Sequence, residues 1–153
     1  MDKNLKEKIL YEMSCITTLL EQTGILIQKC KLQAPDFIEL NAAGSTLHSY
    51  YNGLENIFLL INKNIDGTRL SGTRWHRDLL ESMFSASENR SAVLDKSLYD
   101  ELFDYMSFRH VFRHSYSYAL DWERLSPLFF RMTENWQSVK RCLQDFITKD
   151  EIP

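Results

Sequence analysis

The most constraining feature of the sequence is an unbroken apolar stripe between about residues 36 and 63. Its members, at three- and four-residue steps, are Leu40, Ala43, Leu47, Tyr50, Leu54, Ile57 and Ile61. This spacing places them on one face of an α-helix, because a helical turn takes about 3.6 residues. The chain has only 5 Gly and 3 Pro, so residues for the many turns of a sheet are scarce. We therefore predict an all-α protein.

Other segments predict the remaining helices of an up-and-down bundle with four long helices and shorter ones. The periodic segments span about residues 3 to 32, 74 to 84, 95 to 114 and 128 to 148. Thr73 and Asp95 are suitable N-caps for the third and fourth helices. We expect Ser126-Pro127 to interrupt the pattern before the last helix, and residues 149–153 to form a tail.

Composition limits the cellular setting. The net charge of −3 argues against a protein that is basic all over, so a nucleic-acid partner would need a local patch. Cys15, Cys30 and Cys142 form no CxxC pair, and we expect buried free thiols. The charged N-terminus lacks a signal-type core, and no apolar run approaches the roughly 18 residues that span a bilayer. We expect a cytoplasmic protein without membrane contact, folded as one domain over residues 1–153.

A basic segment follows the central stripe. Between residues 63 and 77 the sequence has four cationic side chains and one carboxylate, Asp66. The cations are Lys63, Arg69, Arg74 and Arg77. Two glycines between them predict a loop. We expect Arg74 and Arg77 to contribute to phosphate binding.

The densest polar stretch is Arg109-His110-Val111-Phe112-Arg113-His114-Ser115-Tyr116. At about 100° per residue, Arg109, Arg113 and Tyr116 share one helix face, and both histidines lie on the neighbouring face. Guanidinium forks match phosphate oxygens, and a neutral imidazole can accept a proton near pH 7. The pattern predicts an anion site with its own general base. Such a site suits metal-independent RNA cleavage, in which a histidine deprotonates the 2′-hydroxyl and an arginine neutralises the phosphate.

The residues leave other interpretations open. The two motif arginines also fit a solvated basic face, paired with Asp104 or Glu101 one turn away. The two motif histidines, at i and i+4, also fit a metal site, although no third ligand is evident. His48 and His76, outside the motif, fit satisfied structural histidines. We expect no cofactor and no metal.

Arg109-x4-His114-x-Tyr116 resembles the R-x4-6-H signature of HEPN-fold proteins, with the trailing tyrosine of HepT-like toxins. Residues 47–55 and 75–80 also look like the corresponding segments of the HepT-like ribonuclease branch of this fold. The resemblance implies an all-α bundle that forms a homodimer through the motif helix, with an RNA-cutting cleft between the two copies. It also implies Arg109 and His114 as the catalytic pair. In a regular helix these two lie about 140° apart, which suggests a distorted helix or a site that a second copy completes.

The resemblance further implies a partner and a control point. HepT-like toxins are typically paired with an MNT-type nucleotidyltransferase antitoxin, and in several such systems the antitoxin attaches AMP to the motif tyrosine, here Tyr116. His110 stands where the family often has Asn or Asp, and we expect it to bind RNA phosphate together with Arg113. The alternative is a non-catalytic HEPN-like module that binds RNA, a nucleotide or a protein.

Overall fold

The computed structural model describes residues 1–149, and these residues confirm the all-α bundle. Its helices are α1 (Lys3–Leu32), α2 (Phe37–Ile61), α3 (Trp75–Phe84), α4 (Lys96–His114) and α5 (Trp122–Lys149). Four are long and α3 is short. The predicted tail lies outside the described residues except for Lys149, which ends α5. Within the described part of the chain, no helix is both long and apolar enough to cross a membrane.

Helix α2 is the centre of the bundle and packs against the other four helices. Most of its stripe is completely buried, namely Ala43, Leu47, Tyr50, Leu54, Ile57 and Ile61. Burying one such side chain stabilises the fold by about 1.5–3 kcal/mol. A Cβ atom at Gly53 would lie 2.8 Å from Cγ1 of Ile16, so α1 and α2 approach too closely for a side chain there. This close packing fixes the rotation of α2 and hence the direction of its polar residues.

The N-termini of the helices show which cap predictions hold. Asp95 caps α4 as predicted, and its carboxylate accepts a hydrogen bond from the backbone N–H of Leu98 at 2.8 Å. The prediction for Thr73 is wrong. Helix α3 begins at Trp75, and its N-cap residue Arg74 makes no side-chain capping bond. Gly72 has a φ of 91°, and a turn follows it. The helix therefore starts after this turn, at Trp75.

The prediction that Ser126-Pro127 interrupts the chain before the last helix is also wrong. Helix α5 starts at Trp122, and the Asp121 carboxylate accepts a hydrogen bond from the N–H of Glu123 at 3.0 Å. Pro127 lies inside the helix and removes one backbone donor. Apolar burial around the proline offsets this loss, through Leu125, Leu128 and Phe129. The connection between α4 and α5 is therefore short.

The cysteines differ in exposure, contrary to the expectation of three buried thiols. Cys30 is buried, Cys142 is half-buried and Cys15 is exposed. Cys15 follows the buried Met13 by two residues, which is about 200° around the helix, so it faces away from the core.

At the far end of α2, a buried ion pair holds two connections together. Residues Asn62–Asp66 form a π-helical turn, and Gly67 follows with a φ of 65°. The guanidinium of Arg90 donates to the carboxylate of Asp66 at 2.8 Å, and its side chain is only 1% exposed. This pair ties the end of α2 to the segment between α3 and α4.

Candidate active site

Helix α4 places Arg109, the first residue of the motif, on its buried face. Leu98, Leu102, Tyr105 and Arg109 follow one another at four- and three-residue steps, and all four are buried. A guanidinium therefore occupies a position where the spacing favours an apolar side chain, and Arg109 is only 8% exposed. A buried charge is costly unless it is paired, so its neighbours determine its role.

Arg109 points towards α2 and is held loosely there. Its Nη2 lies 3.7 Å from Oε1 of Glu55 and donates to Oδ1 of Asn52 at 3.4 Å. Its Nε is buried and has no hydrogen-bond partner within the described residues. The alternative pairing of Arg109 with Asp104 or Glu101 is wrong, because the side chain turns inward across the bundle instead of along α4.

The residues that face Arg109 form a polar stripe on α2. His48, Tyr51, Asn52 and Glu55 lie at i, i+3, i+4 and i+7, which is the spacing of one helix face. Three buried atoms of this stripe lack hydrogen-bond partners in the described chain: Nδ1 of His48, the hydroxyl of Tyr51 and Oε2 of Glu55. Buried polar atoms are rarely left unpaired, so such a group of them marks a candidate functional site. The spacing of these polar residues was visible in the sequence, but sequence reasoning did not assign them to the site.

Helix α3 adds an imidazole to this group. Nδ1 of His76 lies 2.7 Å from Oε1 of Glu55. An ionised carboxylate only accepts hydrogen bonds, so Nδ1 donates and Nε2 remains for other contacts. The interpretation of His76 as a structural histidine with a hydrogen-bonded ring holds for its Nδ1. It fails for His48, whose Nδ1 is buried without a partner among residues 1–149.

A cleft of about 360 Å³ lies between the start of α3 and the second half of α4. Its lining residues are Thr73, Arg74, His76, Arg77, Met106, Ser107, Arg109, His110 and Val111. The structure thus brings together four of the predicted site residues: Arg109 and the expected phosphate ligands Arg74, Arg77 and His110. Three guanidiniums and two imidazoles line the cleft, and the described lining includes no carboxylate. This arrangement suits an anionic ligand.

The basic segment before α3 is divided between two places. Arg74 and Arg77 line the cleft, whereas Lys63 and Arg69 line a separate groove that borders Trp75. Within the cleft the guanidinium of Arg77 is braced, because it lies 5.6 Å from the centre of the Phe103 ring and its Nε lies 3.5 Å from Oε1 of Glu81.

The rest of the motif lies beyond the cleft. Arg113 and His114 form the exposed last turn of α4, and the rings of His110 and His114 are 4.9 Å apart. No three His, Cys, Asp or Glu side chains gather as metal ligands within residues 1–149.

The helical-wheel placement of Tyr116 beside Arg109 is wrong. Helix α4 ends at His114, and Ser115 leaves it with an extended backbone (φ −105°, ψ 147°). Tyr116 lies outside the helix and is 75% exposed. Its ring stacks on that of Tyr118, with centroids 5.5 Å apart and planes inclined by 5°.

The last turn of α4 is anchored on α2. The ring of Phe112 lies 5.3 Å from that of His48. A Cβ at Gly44 would lie 3.0 Å from the side chains of both Phe112 and Leu120. The absence of a side chain at Gly44 therefore lets the end of α4 and the following connection pack closely, which holds Arg113 and His114 in place.

The positive charges of the motif act on His48. Burial lowers the pKa of this imidazole, and the guanidiniums of Arg109 and Arg113 lower it further. Burial and the nearby Glu55 raise the pKa of Tyr51, so its hydroxyl stays protonated at neutral pH. Both α2 side chains are therefore neutral, and the net charge that an anion meets comes from the arginines.

Comparison with known proteins agrees with the motif. The family model described as HepT-like protein matches residues 42–149. The matched range contains the polar stripe of α2, the whole cleft and the end of α4. No curated protein and no solved structure matches the chain. The resemblance to HepT-like proteins with a HEPN-type bundle is confirmed, and the chain belongs to the HepT-like protein family.

Proposed function

We propose that the protein is a metal-independent endoribonuclease, the toxin of a toxin–antitoxin pair. The observation that carries this proposal is the cleft between α3 and α4, where the incompletely bonded Arg109 stands with two further arginines and no lining carboxylate. Membership of the HepT-like family supports a HEPN-type nuclease or toxin module. RNA supplies the phosphodiester that such a cleft fits.

The proposed reaction is an attack by the ribose 2′-oxygen on the adjacent phosphorus. His114 removes the 2′-hydroxyl proton, the P–O2′ bond forms and the P–O5′ bond breaks. The products are a 2′,3′-cyclic phosphate and a 5′-hydroxyl that has gained a proton. Arg109 donates to the phosphate oxygens as charge develops on them, and the removal of one such donor typically costs about 10² to 10³ in kcat.

The proposed site is completed by a second copy of the chain. His114 does not line the cleft of its own chain, whereas Arg109 does. A symmetric dimer in which the α4 helices face each other would bring each His114 to the cleft of the other copy.

Mixing two inactive variants tests this arrangement. Arg109→Ala and His114→Ala are unfolded together and refolded, so that random pairing makes half of the dimers mixed. Each mixed dimer would have one intact site of two, so we expect about a quarter of wild-type activity. Activity that stays at the level of the separate variants would contradict a shared site.

We further propose that an MNT-type nucleotidyltransferase antitoxin silences the toxin by attaching AMP to Tyr116. The phenol oxygen would attack the α-phosphate of ATP, with loss of its proton and release of pyrophosphate. The exposure of Tyr116 supports access by a second enzyme. The added phosphate would stand near Arg113 and compete with RNA for that cation. RNA and ATP as substrates agree with a cytoplasmic location.

Intact mass after co-expression with such an antitoxin tests the modification. We expect AMP additions on wild type and on the matched control Tyr118→Phe, and none on Tyr116→Phe. Additions that persist on Tyr116→Phe would exclude it as the sole acceptor.

Cleavage in EDTA tests the nuclease. Wild type should cut RNA without a divalent metal, and His114→Ala should lose about 10² to 10⁴ in rate. A binding assay on the same variants addresses the alternative of a non-catalytic module. Undiminished cleavage by His114→Ala would refute the assigned base, and RNA binding without cleavage by wild type would favour the binding module.

A further inference from the structure

The proposed cleavage needs two proton transfers, and the motif accounts for one. A base removes the 2′-hydroxyl proton, and an acid must protonate the departing 5′-oxygen, because an alkoxide is a poor leaving group. His114 is assigned the first transfer. The second requires another proton donor at the same phosphate, and the following argument rests on the proposed function.

His76 has the position that this donor requires. It lines the cleft next to Arg109 but comes from α3, and sequence reasoning treated it as structural. Its Nδ1 donates to Glu55 at 2.7 Å, which fixes the tautomer and the orientation of the ring. Its Nε2 makes no hydrogen bond within residues 1–149. One nitrogen is therefore held by the interior, and the other remains for a ligand.

The groups around His76 hold its ring at the cleft. The Glu55 carboxylate that accepts from Nδ1 is buried, with its side chain 3% exposed. The Trp75 ring packs on the imidazole, with ring centroids 3.5 Å apart. Arg74, Arg77 and Arg109 line the same cleft, together with His110. A phosphate bound by these arginines would therefore lie beside the imidazole.

His110, the other imidazole in the cleft, lacks this support. It is exposed, and its ring contacts that of His114 at 4.9 Å. No carboxylate bonds it in the described chain, so nothing there fixes its tautomer or its orientation. Of the two histidines, His76 is the better general acid.

We propose that His76 is the general acid of the cleavage reaction and that Glu55 is the positioning residue that holds it. As the P–O5′ bond breaks, Nε2 of His76 transfers its proton to the 5′-oxygen. The electron pair of the broken bond becomes the new O–H bond. His76 is left neutral and regains a proton from solvent.

The test changes the leaving group. In the RNA that wild type cuts, the bridging 5′-oxygen of the scissile bond is replaced by sulfur. A thiol has a pKa of about 8.5, so a thiolate leaves without protonation. We expect His76→Asn to lose about 100-fold or more on ordinary RNA and less than about 10-fold on the sulfur-substituted RNA. His114→Ala should lose activity on both substrates, because both need the base.

Asparagine at position 76 keeps an N–H donor for Glu55, so its use separates loss of acid chemistry from loss of structure. His76→Gln serves as the second variant should the first fail to fold, with folding checked by thermal unfolding. An equal loss of His76→Asn on both substrates, or full activity on ordinary RNA, overturns the acid role while the nuclease stands. Absence of cleavage by wild type overturns both proposals.

Discussion

Two arginines are buried in this bundle, and their bonding differs. Arg90 donates through Nε and Nη2 to Asp66, at 3.2 and 2.8 Å, and also to the carbonyl oxygens of Ser82, Ser85 and Ser91. Arg109 has one contact at 3.4 Å and another at 3.7 Å, and its Nε has no partner in the described chain.

This difference separates a structural cation from a candidate ligand-binding one. A guanidinium has five N–H donors, and around Arg90 they are used by the fold. Arg109 keeps donors that the protein does not satisfy, and it borders a cleft. An anion entering the cleft would supply the missing acceptors, which Arg90 does not need. We therefore expect substitutions of Arg90 to affect stability and substitutions of Arg109 to affect activity.

The largest effect should come from Arg90→Ala. Removing this partner leaves the Asp66 carboxylate buried and unpaired, which typically costs about 3–5 kcal/mol of unfolding free energy. Chemical denaturation measures the loss. The control is Arg90→Ala combined with Asp66→Ala, which removes both charges and should be less destabilised than the single variant. A single variant within about 1 kcal/mol of wild type would show that the pair is not structural.

Arg109→Ala should show the opposite profile. We expect kcat/KM for RNA to fall about 10² to 10³-fold, equivalent to about 2.7–4 kcal/mol in the transition state. Its unfolding free energy should fall by less than that of Arg90→Ala, because its contacts are longer. Arg109→Lys is the matched control: it keeps the charge but loses the fork, and should recover only part of the rate. Full activity in Arg109→Ala would show that Arg109 does not bind the substrate, and would contradict its contrast with Arg90.

Glu55→Gln tests how much the Glu55 carboxylate stabilises the fold through its contacts with Arg109 and His76. The change leaves the buried guanidinium without a counter-charge, and we expect a loss of about 1–3 kcal/mol of unfolding free energy. The control is Glu81→Gln, which breaks an exposed pair with Arg77 and should cost under about 1 kcal/mol. Denaturation curves of both variants measure the two losses in unfolding free energy. A loss in Glu55→Gln that equals that of Arg90→Ala would mean that the contacts of Glu55 stabilise the fold as much as the Arg90–Asp66 pair does.

The smallest effect concerns the pH dependence of stability at His48. Its folded-state pKa lies below the unfolded value of about 6.5, so the unfolded chain takes up this proton first as pH falls. The unfolding free energy should therefore decrease through about pH 6.5 and continue to decrease until the folded pKa is passed. His48→Gln should flatten this slope between about pH 7.5 and 5.5. Parallel slopes for both proteins would contradict the lowered pKa.

The elements that sequence reasoning predicted well depend on neighbouring residues. The apolar period of α2 and the Asp95 cap are properties of a few adjacent turns, so composition and spacing indicate them without knowledge of the fold. The same is true of the motif Arg109-x4-His114-x-Tyr116, and the family match confirms the resemblance that it carried. The Pro127 prediction failed because a local rule gave way to the burial of Leu125 and Phe129.

The site itself required the tertiary structure. Asn52 and Arg109 are 57 residues apart in the chain, and only the packing of α2 against α4 brings them together. The sequence places an arginine at position 109 within a polar motif. Its burial and its pairing with Glu55 depend on how α4 is rotated in the bundle. Likewise, His76 became a candidate acid only when α3 placed it against Glu55 at the cleft. The sequence by itself determined that the chain is helical and where the motif lies, since apolar periodicity and residue identity are local properties. The tertiary structure determined which side chains meet, because contacts between helices depend on packing that no single segment encodes.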